Sequence, residues 1–349
     1  MSRVSGAVHG QSFGGGMIES VLVLNTVLAA AASGGDGACA AWGPAEAEGT
    51  LERPDLIEAS GLAASAGTED LYWTMNDSGG AAVIYAIDGA GADLGTVAVR
   101  GAENTDWEDL ALGPCSDGCA CLTLADIGGD GATRKTGMLY RVPEPDPGDS
   151  RTETAELISF TWPEATDAEA VVVDPQTGQT LFIPKIDADE VTVYGLPWTP
   201  PEGEDLVAEA VATLDLSDAQ DQQVTGAAVS PGGLRVAVRT DADLLVYTVP
   251  EGGTLVDAFD DAPAILPVPI TPTGEALTFS RDGRDVILMG EGAGATIWRG
   301  PCASPQDEVT VDALEVCARS CGCATPGPRR ASWIVVVALW ALGRARRDG

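Results

Sequence analysis

The tetrapeptide Glu108-Asp109-Leu110-Ala111 has four relatives elsewhere in this chain of 349 residues, and this repetition decides the fold. The related stretches are Ser60-Gly61-Leu62-Ala63, Glu169-Ala170-Val171-Val172, Thr225-Gly226-Ala227-Ala228 and Glu275-Ala276-Leu277-Thr278. The steps between successive copies are 48, 61, 56 and 50 residues. Repeats of this length are typical of arrays and propellers, so the pattern predicts one repetitive domain rather than five separate domains.

Each repeat contains short runs rich in Val, Leu and Ile, separated by turns with Gly, Pro, Asp and Asn. Four such runs per repeat predict four β-strands, and four-stranded units arranged radially form a β-propeller. We therefore predict an all-β fold, a single β-propeller of five four-stranded blades. Six blades is the alternative if residues 301–315 add a partial unit. The fifth repeat shows three clear strands, so residues 49–57 are expected to supply its outer strand and close the ring.

The charge and the histidine content exclude several classes of function. The formal net charge is −34, with 53 acidic against 19 basic residues, which argues against nucleic-acid binding through phosphate neutralisation. The one histidine, His9, lies upstream of a predicted export signal, so the mature chain is expected to have none. This argues against Ser-His-Asp and Cys-His catalysis and against histidine-ligated zinc or copper. A metal would be held by oxygen ligands, which favours Ca²⁺ or Mg²⁺.

The two ends of the chain are predicted to be targeting segments, and this prediction sets the domain boundaries. Residues 1–45 are interpreted as an export signal and linker, 46–301 as the propeller, 302–327 as a Cys-containing stalk and 328–349 as a sorting or membrane tail. The signal rests on the apolar run Val21–Ala32 followed by small residues, with Met1 or Met17 as the start. The alternative for this run is a buried strand or helix.

The C-terminal segment carries a more specific pattern. Ser320-Cys321-Gly322-Cys323 precedes the short apolar stretch Trp333–Leu342, and Arg344, Arg346 and Arg347 follow it. The apolar stretch is shorter than the roughly 20 residues of a membrane-spanning helix. This order resembles the MYXO-CTERM sorting tail of exported myxobacterial-type proteins. The resemblance implies a sorting protease as partner and delivery to the cell surface or outer membrane, with membrane contact only through the terminal segments of an expected monomer.

The cysteines fit an exported protein. With Cys321 and Cys323 assigned to the tail, six remain, and an even number in an exported chain favours disulfides. We expect Cys302 to pair with Cys317, and two of Cys115, Cys119 and Cys121 to pin one hairpin while the third reaches Cys39. A zinc site of four thiolates is the alternative, although the spacings are Cys-x3-Cys and Cys-x-Cys.

Seven short motifs stand out between residues 50 and 300. They are Glu58-Ala59-Ser60-Gly61-Leu62-Ala63, Asn76-Asp77-Ser78-Gly79, Asp106-Trp107-Glu108-Asp109-Leu110-Ala111, Ala125-Asp126-Ile127-Gly128, Asp167-Ala168-Glu169-Ala170, Val224-Thr225-Gly226-Ala227 and Gly274-Glu275-Ala276. Together they resemble an uncharacterised group of exported bacterial propellers, related to phytase-like and WD-repeat-like propellers. One departure is Gly128, where the group's loop more usually continues into an acid and an asparagine. Kinship with phytase-like propellers implies a metal-dependent hydrolase of phosphoesters or similar esters.

Polar residues mark one end of every predicted blade. In a blade the first strand leaves one face of the ring and the second strand returns to it, so these residues are expected to meet at one central mouth. The predicted ligand-binding residues are Ser60, Asn76, Glu108, Glu169, Lys185, Thr225, Arg239, Glu275 and Glu291. The predicted metal ligands are Asp77, Glu108, Asp126, Glu169 and Glu275.

Three uses of this mouth remain open from the sequence. The residues form an ion-pair ring that holds the blades in register, or they bind a Ca²⁺-type cation or small polar ligand, or they catalyse a reaction with carboxylates as acid and base. The leading hypothesis is a non-enzymatic, exported, cell-surface propeller that binds a divalent cation or small polar ligand. The alternative is the phytase-like hydrolase.

Overall fold

The structure of the protein is a computed structural model, which describes residues 35–36, 39, 41–129, 134–197, 205–269, 273–303, 309–310 and 314. Most of the predicted export signal and the whole predicted sorting tail lie outside these residues. Among the described residues, no helix has the length and apolar character needed to cross a membrane.

The strands follow the repeats that the sequence predicts. Two strands precede the first repeat, β1 (Gly35–Asp36) and β2 (Glu46–Thr50). The first repeat forms β3 (Ala59–Ala64), β4 (Leu71–Asn76), β5 (Val83–Asp88) and β6 (Asp93–Arg100). The second forms β7 (Trp107–Pro114), β8 (Ala120–Asp126), β9 (Thr136–Pro143), β10 (Arg151–Thr154) and β11 (Glu156–Thr161).

The third repeat forms β12 (Ala168–Val173), β13 (Thr180–Pro184), β14 (Glu190–Leu196) and β15 (Glu209–Asp215). The fourth forms β16 (Val224–Val229), β17 (Arg235–Thr240), β18 (Asp243–Thr248), a short 3₁₀ helix (Val256–Asp260) and β19 (Ala264–Pro267). The fifth forms β20 (Gly274–Phe279), β21 (Val286–Gly290) and β22 (Thr296–Gly300), and β23 (Val309–Thr310) follows it.

Five sheets form the blades of a propeller, which confirms the predicted fold class. Each blade has its first strand at the axis, in the orders β3-β4-β5-β6, β7-β8-β9-β11, β12-β13-β14-β15, β16-β17-β18-β19 and β20-β21-β22-β2. The strand β10 adds a fifth, parallel strand to the edge of blade one. The alternative of six blades is wrong, because β23 pairs with β1 in a separate two-stranded sheet.

The ring is closed by the chain ahead of the first repeat, as the sequence predicts. The strand β2 pairs antiparallel with β22 and supplies the outer strand of blade five, with Thr50 opposite Thr296. The strand is Glu46–Thr50, so only its end overlaps the predicted stretch of residues 49–57. This pairing covers sheet edges that would otherwise expose unpaired backbone groups.

The hydrophobic core consists of five clusters, each between two neighbouring blades. Alternate residues of a strand face opposite neighbours, because successive side chains point to opposite faces of a sheet. In β3, Ala63 packs with Leu110 of blade two, whereas Leu62 packs with Ala276 of blade five. Burial on both faces explains why the strands read as continuous apolar runs.

The disulfides correct two predicted pairings and confirm one. Cys39 bonds Cys302, so the expected bonds of Cys302 to Cys317 and of Cys39 to the hairpin are wrong. The reason is that ring closure places the chain before β2 beside the end of β22, where Trp42 bridges to Cys302. Cys115 bonds Cys121 and pins the hairpin between β7 and β8, as expected. The two bonds are typical of proteins outside the cytoplasm.

The Cys39–Cys302 bond is expected to contribute more stability than the Cys115–Cys121 bond. The two bonds close loops with sequence separations of 263 and 6 residues, and loop-closure entropy predicts losses of about 5 and about 2 kcal/mol on removal. Guanidinium unfolding of Cys39→Ser/Cys302→Ser and Cys115→Ser/Cys121→Ser, each against the unchanged chain, measures both. An equal loss of unfolding free energy in the two double variants would contradict the predicted dependence on loop length.

Candidate functional site

A β-bulge begins the inner strand of every blade, and it lies at the repeated tetrapeptide. In blade two, Trp107 pairs with Asp126 and Asp109 pairs with Ala125, so Glu108 is the extra residue. The other four inner strands show the same irregularity at the corresponding place. A bulge bends the strand and redirects the side chain that it carries. The same bulge therefore positions the first residue of the tetrapeptide in all five blades.

The second residue of each tetrapeptide lies where the five inner strands approach one another. It is Gly61, Ala170, Gly226 and Ala276 in four blades. A Cβ on Gly61 would collide with the backbone of Leu110, and a Cβ on Gly226 would collide with the carbonyl of Glu275. The axis of the propeller is therefore too narrow for larger side chains at these places.

The exception at the axis is Asp109 of blade two, which is 2 % exposed. Its carboxylate accepts hydrogen bonds from the amides of Leu110 at 2.7 Å and Val171 at 2.8 Å, and from the amide of Ala227. Burial raises the pKa of Asp109 well above its ordinary value, and the three amides oppose that shift. This side chain links blades two, three and four at the axis.

Four of the predicted ligand-binding residues make hydrogen bonds within the scaffold. The hydroxyl of Ser60 donates to the carbonyl of Glu108, and that of Thr225 donates to the carbonyl of Gly274 at 2.6 Å. Each of these bonds joins neighbouring blades.

Arg239 and Asn76 have similar structural roles. Arg239, 1 % exposed, donates to the carbonyls of Ala276 at 2.8 Å and Met289 at 2.7 Å, which joins blades four and five. The Asn76 amide oxygen accepts from the amides of Ile57 and Glu58, both at 3.0 Å.

Three acids form the group that can hold a metal ion, and we call Asp77, Asp106 and Glu108 the mouth group. One carboxylate oxygen from each lies within 4.8 Å of the others. Asp77 follows β4, Asp106 directly precedes β7 and Glu108 lies in β7, so blades one and two supply the group. The Oδ1 atom of Asp77 is buried and makes no hydrogen bond within the described part of the chain. Hard cations with oxygen ligands suit such a donor set.

The backbone around the mouth group fixes its geometry. The side-chain amide of Asn104 donates to the carbonyls of Asn76 and Asp77 and so ties the end of β4 to the segment before β7. A Cβ on Gly128 would occupy the space of the Glu108 carboxylate. Gly128 is therefore the residue that leaves room for Glu108.

Four charged residues from blades three and five complete the mouth. The ammonium of Lys185 lies 3.3 Å from the Glu169 carboxylate. Burial would lower the pKa of Lys185, but the carboxylates of Glu169, Glu275 and Glu108 outweigh it and raise that pKa. Glu291 acts electrostatically on both Glu275 and Asp77. Lys185 is thus surrounded by the acids that the sequence places at this opening.

Asp77, Glu108 and Glu275 hold protons more strongly than ordinary carboxyl groups do. Burial and the carboxylates of Asp106 and Glu169 raise the pKa of Asp77 to about 7. Burial and the carboxylates of Glu291 and Glu169 raise the pKa of Glu275 to about 8. Burial also raises the pKa of Glu108, which shares a hydrogen bond with Glu169. A cation bound to the mouth group would replace the protons of Asp77 and Glu108, because metal ligands must be deprotonated.

The predicted metal ligands and the mouth group share Asp77 and Glu108. The predicted ligands Asp126, Glu169 and Glu275 lie outside the group, whereas Asp106 belongs to it. Asp126 lies outside the mouth group and contacts the guanidinium of Arg134 at 2.6 Å. Asp106 is absent from the predicted ligands, although the spacing Asp-x-Glu occurs both in Asp106-Trp107-Glu108 and in Asp167-Ala168-Glu169. That spacing, at the start of two repeats, is the signal that identifies Asp106.

The comparisons with known proteins identify similar folds only. No family model matches the chain, and no curated protein matches it. The crystal structure of the WD40 repeats of RRP9 has a TM-score of 0.39 and 11 % identity, covering 74 % of this chain and 99 % of that one. A gluconolactonase from Xanthomonas campestris has a TM-score of 0.42 and 12 % identity, covering 76 % and 98 %. A glucose dehydrogenase has a TM-score of 0.43 and 9 % identity, covering 74 % and 99 %.

These values carry no argument about function. The class of protein is set by the five closed blades themselves, and that class is the β-propeller.

The raised pKa values predict that stability falls with rising pH when divalent cations are removed. A carboxyl whose pKa is raised on folding stabilises the fold below its unfolded value and loses that contribution as pH rises through the folded value. For Glu275 this window runs from its ordinary value of 4.5 to about 8. Between pH 5 and pH 8 we expect the free energy of unfolding of Glu275→Gln to fall less than that of the unchanged chain, by on the order of 2 kcal/mol. Urea unfolding in EDTA measures it.

The matched control is Glu251→Gln, which removes one exposed carboxylate from the turn after β18, on the opposite face of the ring. It is expected to leave the pH dependence unchanged. A decline of equal steepness in Glu275→Gln and in the unchanged chain would show that Glu275 is not a source of it.

Proposed function

We propose that this chain is an exported, cell-surface β-propeller that binds a divalent cation, with Ca²⁺ the expected ion, at its acidic mouth. The observation that carries the proposal is the mouth group, three carboxylates from two blades whose ligand atoms lie within 4.8 Å of one another. The disulfides Cys39–Cys302 and Cys115–Cys121 support the exported location, because such bonds persist in oxidising compartments.

The donor set favours Ca²⁺ over transition metals. All three groups are carboxylates, and hard cations prefer such oxygen ligands. Ca²⁺ accepts six to eight oxygens in flexible geometry, whereas Mg²⁺ demands a near-ideal octahedron. Blades one and two are joined at the mouth by the contacts of Asn104, and they fix the three carboxylates on a rigid scaffold.

The proposed ion leaves coordination positions for a small polar ligand. One oxygen from each of the three carboxylates is fewer than the six to eight that Ca²⁺ takes, so water or an oxygen of a ligand would complete its shell. Lys185 from blade three also lies at this opening, with Glu169 as its ion-pair partner. An anionic group bound to the ion would therefore lie at the same opening as the ammonium of Lys185.

Calorimetric titration of the EDTA-treated full chain with CaCl₂ tests the binding function. We expect one Ca²⁺ per chain, weaker binding of Mg²⁺, and at least a tenfold lower Ca²⁺ affinity for Asp106→Asn. Asp106 is half-buried and belongs to the mouth group, so its loss removes a ligand charge without opening the hydrophobic core. Glu251→Gln, with the same change of charge on the opposite face, is expected to bind Ca²⁺ like the unchanged chain. Equal affinities for both variants would refute the proposed site.

Hydrolysis of an ester is the second candidate function, and one observation favours it. Glu108 and Glu169 share a hydrogen bond in the cation-free site, so Glu169 lies next to the proposed ion once Glu108 binds it. A carboxylate beside a metal ion suits general base catalysis. The Glu169 carboxylate also contacts Lys185 at 3.3 Å, so it is held in one position.

The binding function predicts Ca²⁺-dependent thermal stabilisation with no turnover of p-nitrophenyl phosphate or p-nitrophenyl acetate. Ligand binding to the folded state raises stability by about 2.7 kcal/mol at a ligand concentration 100 times the Kd. Saturable turnover that needs Ca²⁺ and falls at least 100-fold in Glu169→Gln, with the melting temperature preserved, would give hydrolysis precedence over simple binding.

A further inference from the structure

Two acids of blade five, Glu275 and Glu291, lie side by side at the mouth of the ring. Glu275 lies in the bulge of β20, and Glu291 directly follows β21. Gly274 pairs with Gly290, which brings the start of β20 next to the end of β21. Neither acid belongs to the mouth group, so this pair is distinct from the ligands of the proposed ion.

Blade three shows which group pairs with a bulged glutamate at this place. Lys185 directly follows β13, and its amide donates to the carbonyl of Asp167 at 3.0 Å. Glu169, two positions after Asp167, is the bulged residue of the inner strand. The ammonium of Lys185 lies 3.3 Å from the Glu169 carboxylate. In blade three the residue after the second strand therefore supplies an ammonium to the bulged glutamate.

Blade five repeats this backbone arrangement with an acid in place of the lysine. The amide of Glu291 donates to the carbonyl of Thr273 at 3.0 Å, and Glu275 is two positions after Thr273. Glu291 thus has the same place in blade five that Lys185 has in blade three. The position that provides an ammonium in one blade provides a second carboxylate in the other.

The Glu275 carboxylate has a buried oxygen without a hydrogen-bond partner. Glu275 is 8 % exposed, and its Oε2 atom makes no hydrogen bond to any residue that the structure describes. Such an oxygen is costly to bury. Lys185 and Arg239 act on Glu275 electrostatically, but Lys185 pairs with Glu169 and Arg239 donates to two backbone carbonyls. Glu275 can therefore accept a hydrogen bond from a group outside the chain.

We propose that Glu275 and Glu291 bind the primary ammonium group of a ligand, as Glu169 binds the ammonium of Lys185. The ligand class is a primary alkylammonium, because that is the chemistry of the side chain at the matching place in blade three. An ammonium has three N–H donors, enough for both carboxylates. Both acids lie outside the group of three that can hold a metal ion, which favours an ammonium over a second metal ion here. This site does not rest on the proposed binding of Ca²⁺.

The variant Glu291→Lys tests the geometry without any ligand, because it gives blade five the residue that blade three has. In EDTA at pH 9 we expect it to raise the melting temperature by about 3 °C more than Glu251→Lys does. Glu251→Lys makes the same change of charge in the exposed turn on the opposite face. Equal melting temperatures for the two variants would overturn the proposed position of the ammonium.

Titration with n-butylammonium, followed by saturation-transfer difference NMR of the full chain in EDTA at pH 9, tests the ligand class. The pKa of Glu275 is about 8 and that of a lysine-type amine is roughly 10.4, so both partners are charged at this pH. We expect saturable binding to the unchanged chain and to Glu251→Gln. Binding is expected to be at least fivefold weaker for Glu291→Gln and to be lost in Glu291→Lys.

The neutral control ligand is n-butanol, which has the same carbon chain and is expected not to bind. The proposal is overturned if Glu291→Gln binds n-butylammonium as Glu251→Gln does, or if n-butanol binds as well as n-butylammonium. Because EDTA is present throughout, the result does not depend on whether the mouth group binds Ca²⁺.

Discussion

The narrow axis of the propeller is the constraint on which the rest of the structure depends. Five inner strands approach so closely that glycine or alanine fills the second position of four tetrapeptides. In the remaining tetrapeptide, that of blade two, Asp109 fills the second position and accepts amide hydrogen bonds from blades two, three and four. Buried inner-edge amides need such partners, because an unpaired buried backbone group is costly. One carboxylate therefore satisfies amides on strands that are far apart in the sequence.

The same packing determines where functional groups appear. Each inner strand bulges at the first residue of its tetrapeptide, so five side chains are redirected at one end of the ring. In blades one and four that residue is Ser60 or Thr225, whose hydroxyl bonds a neighbouring blade. In blades two, three and five it is a glutamate. The ring is regular in its backbone and asymmetric in its chemistry, with the mouth group at the junction of blades one and two.

The sequence predicts much of the fold, because repeat spacing and alternating apolar runs are local signals. The five blades and the closing strand ahead of the first repeat follow from them. The Cys39–Cys302 bond could not be derived, because it depends on how two distant segments meet after closure. The sequence also does not tell which predicted site residues lie in the mouth group and which ones only join blades, because this too depends on distant segments. The bulge and the contacts between blades place Glu108 in the mouth group, whereas Arg239 bonds backbone carbonyls of blade five. No local sequence pattern records these contacts.

The central claim is that packing around the axis assembles a cation site from Asp77, Asp106 and Glu108. Anomalous diffraction from crystals grown with Ca²⁺ tests it most directly, because the signal locates the ion without reference to activity. The account predicts one strong peak in contact with carboxylate oxygens of all three residues, at the roughly 2.3–2.6 Å typical of Ca²⁺. A peak held by other residues, or a mouth in which these carboxyls bind only each other at saturating Ca²⁺, would contradict it.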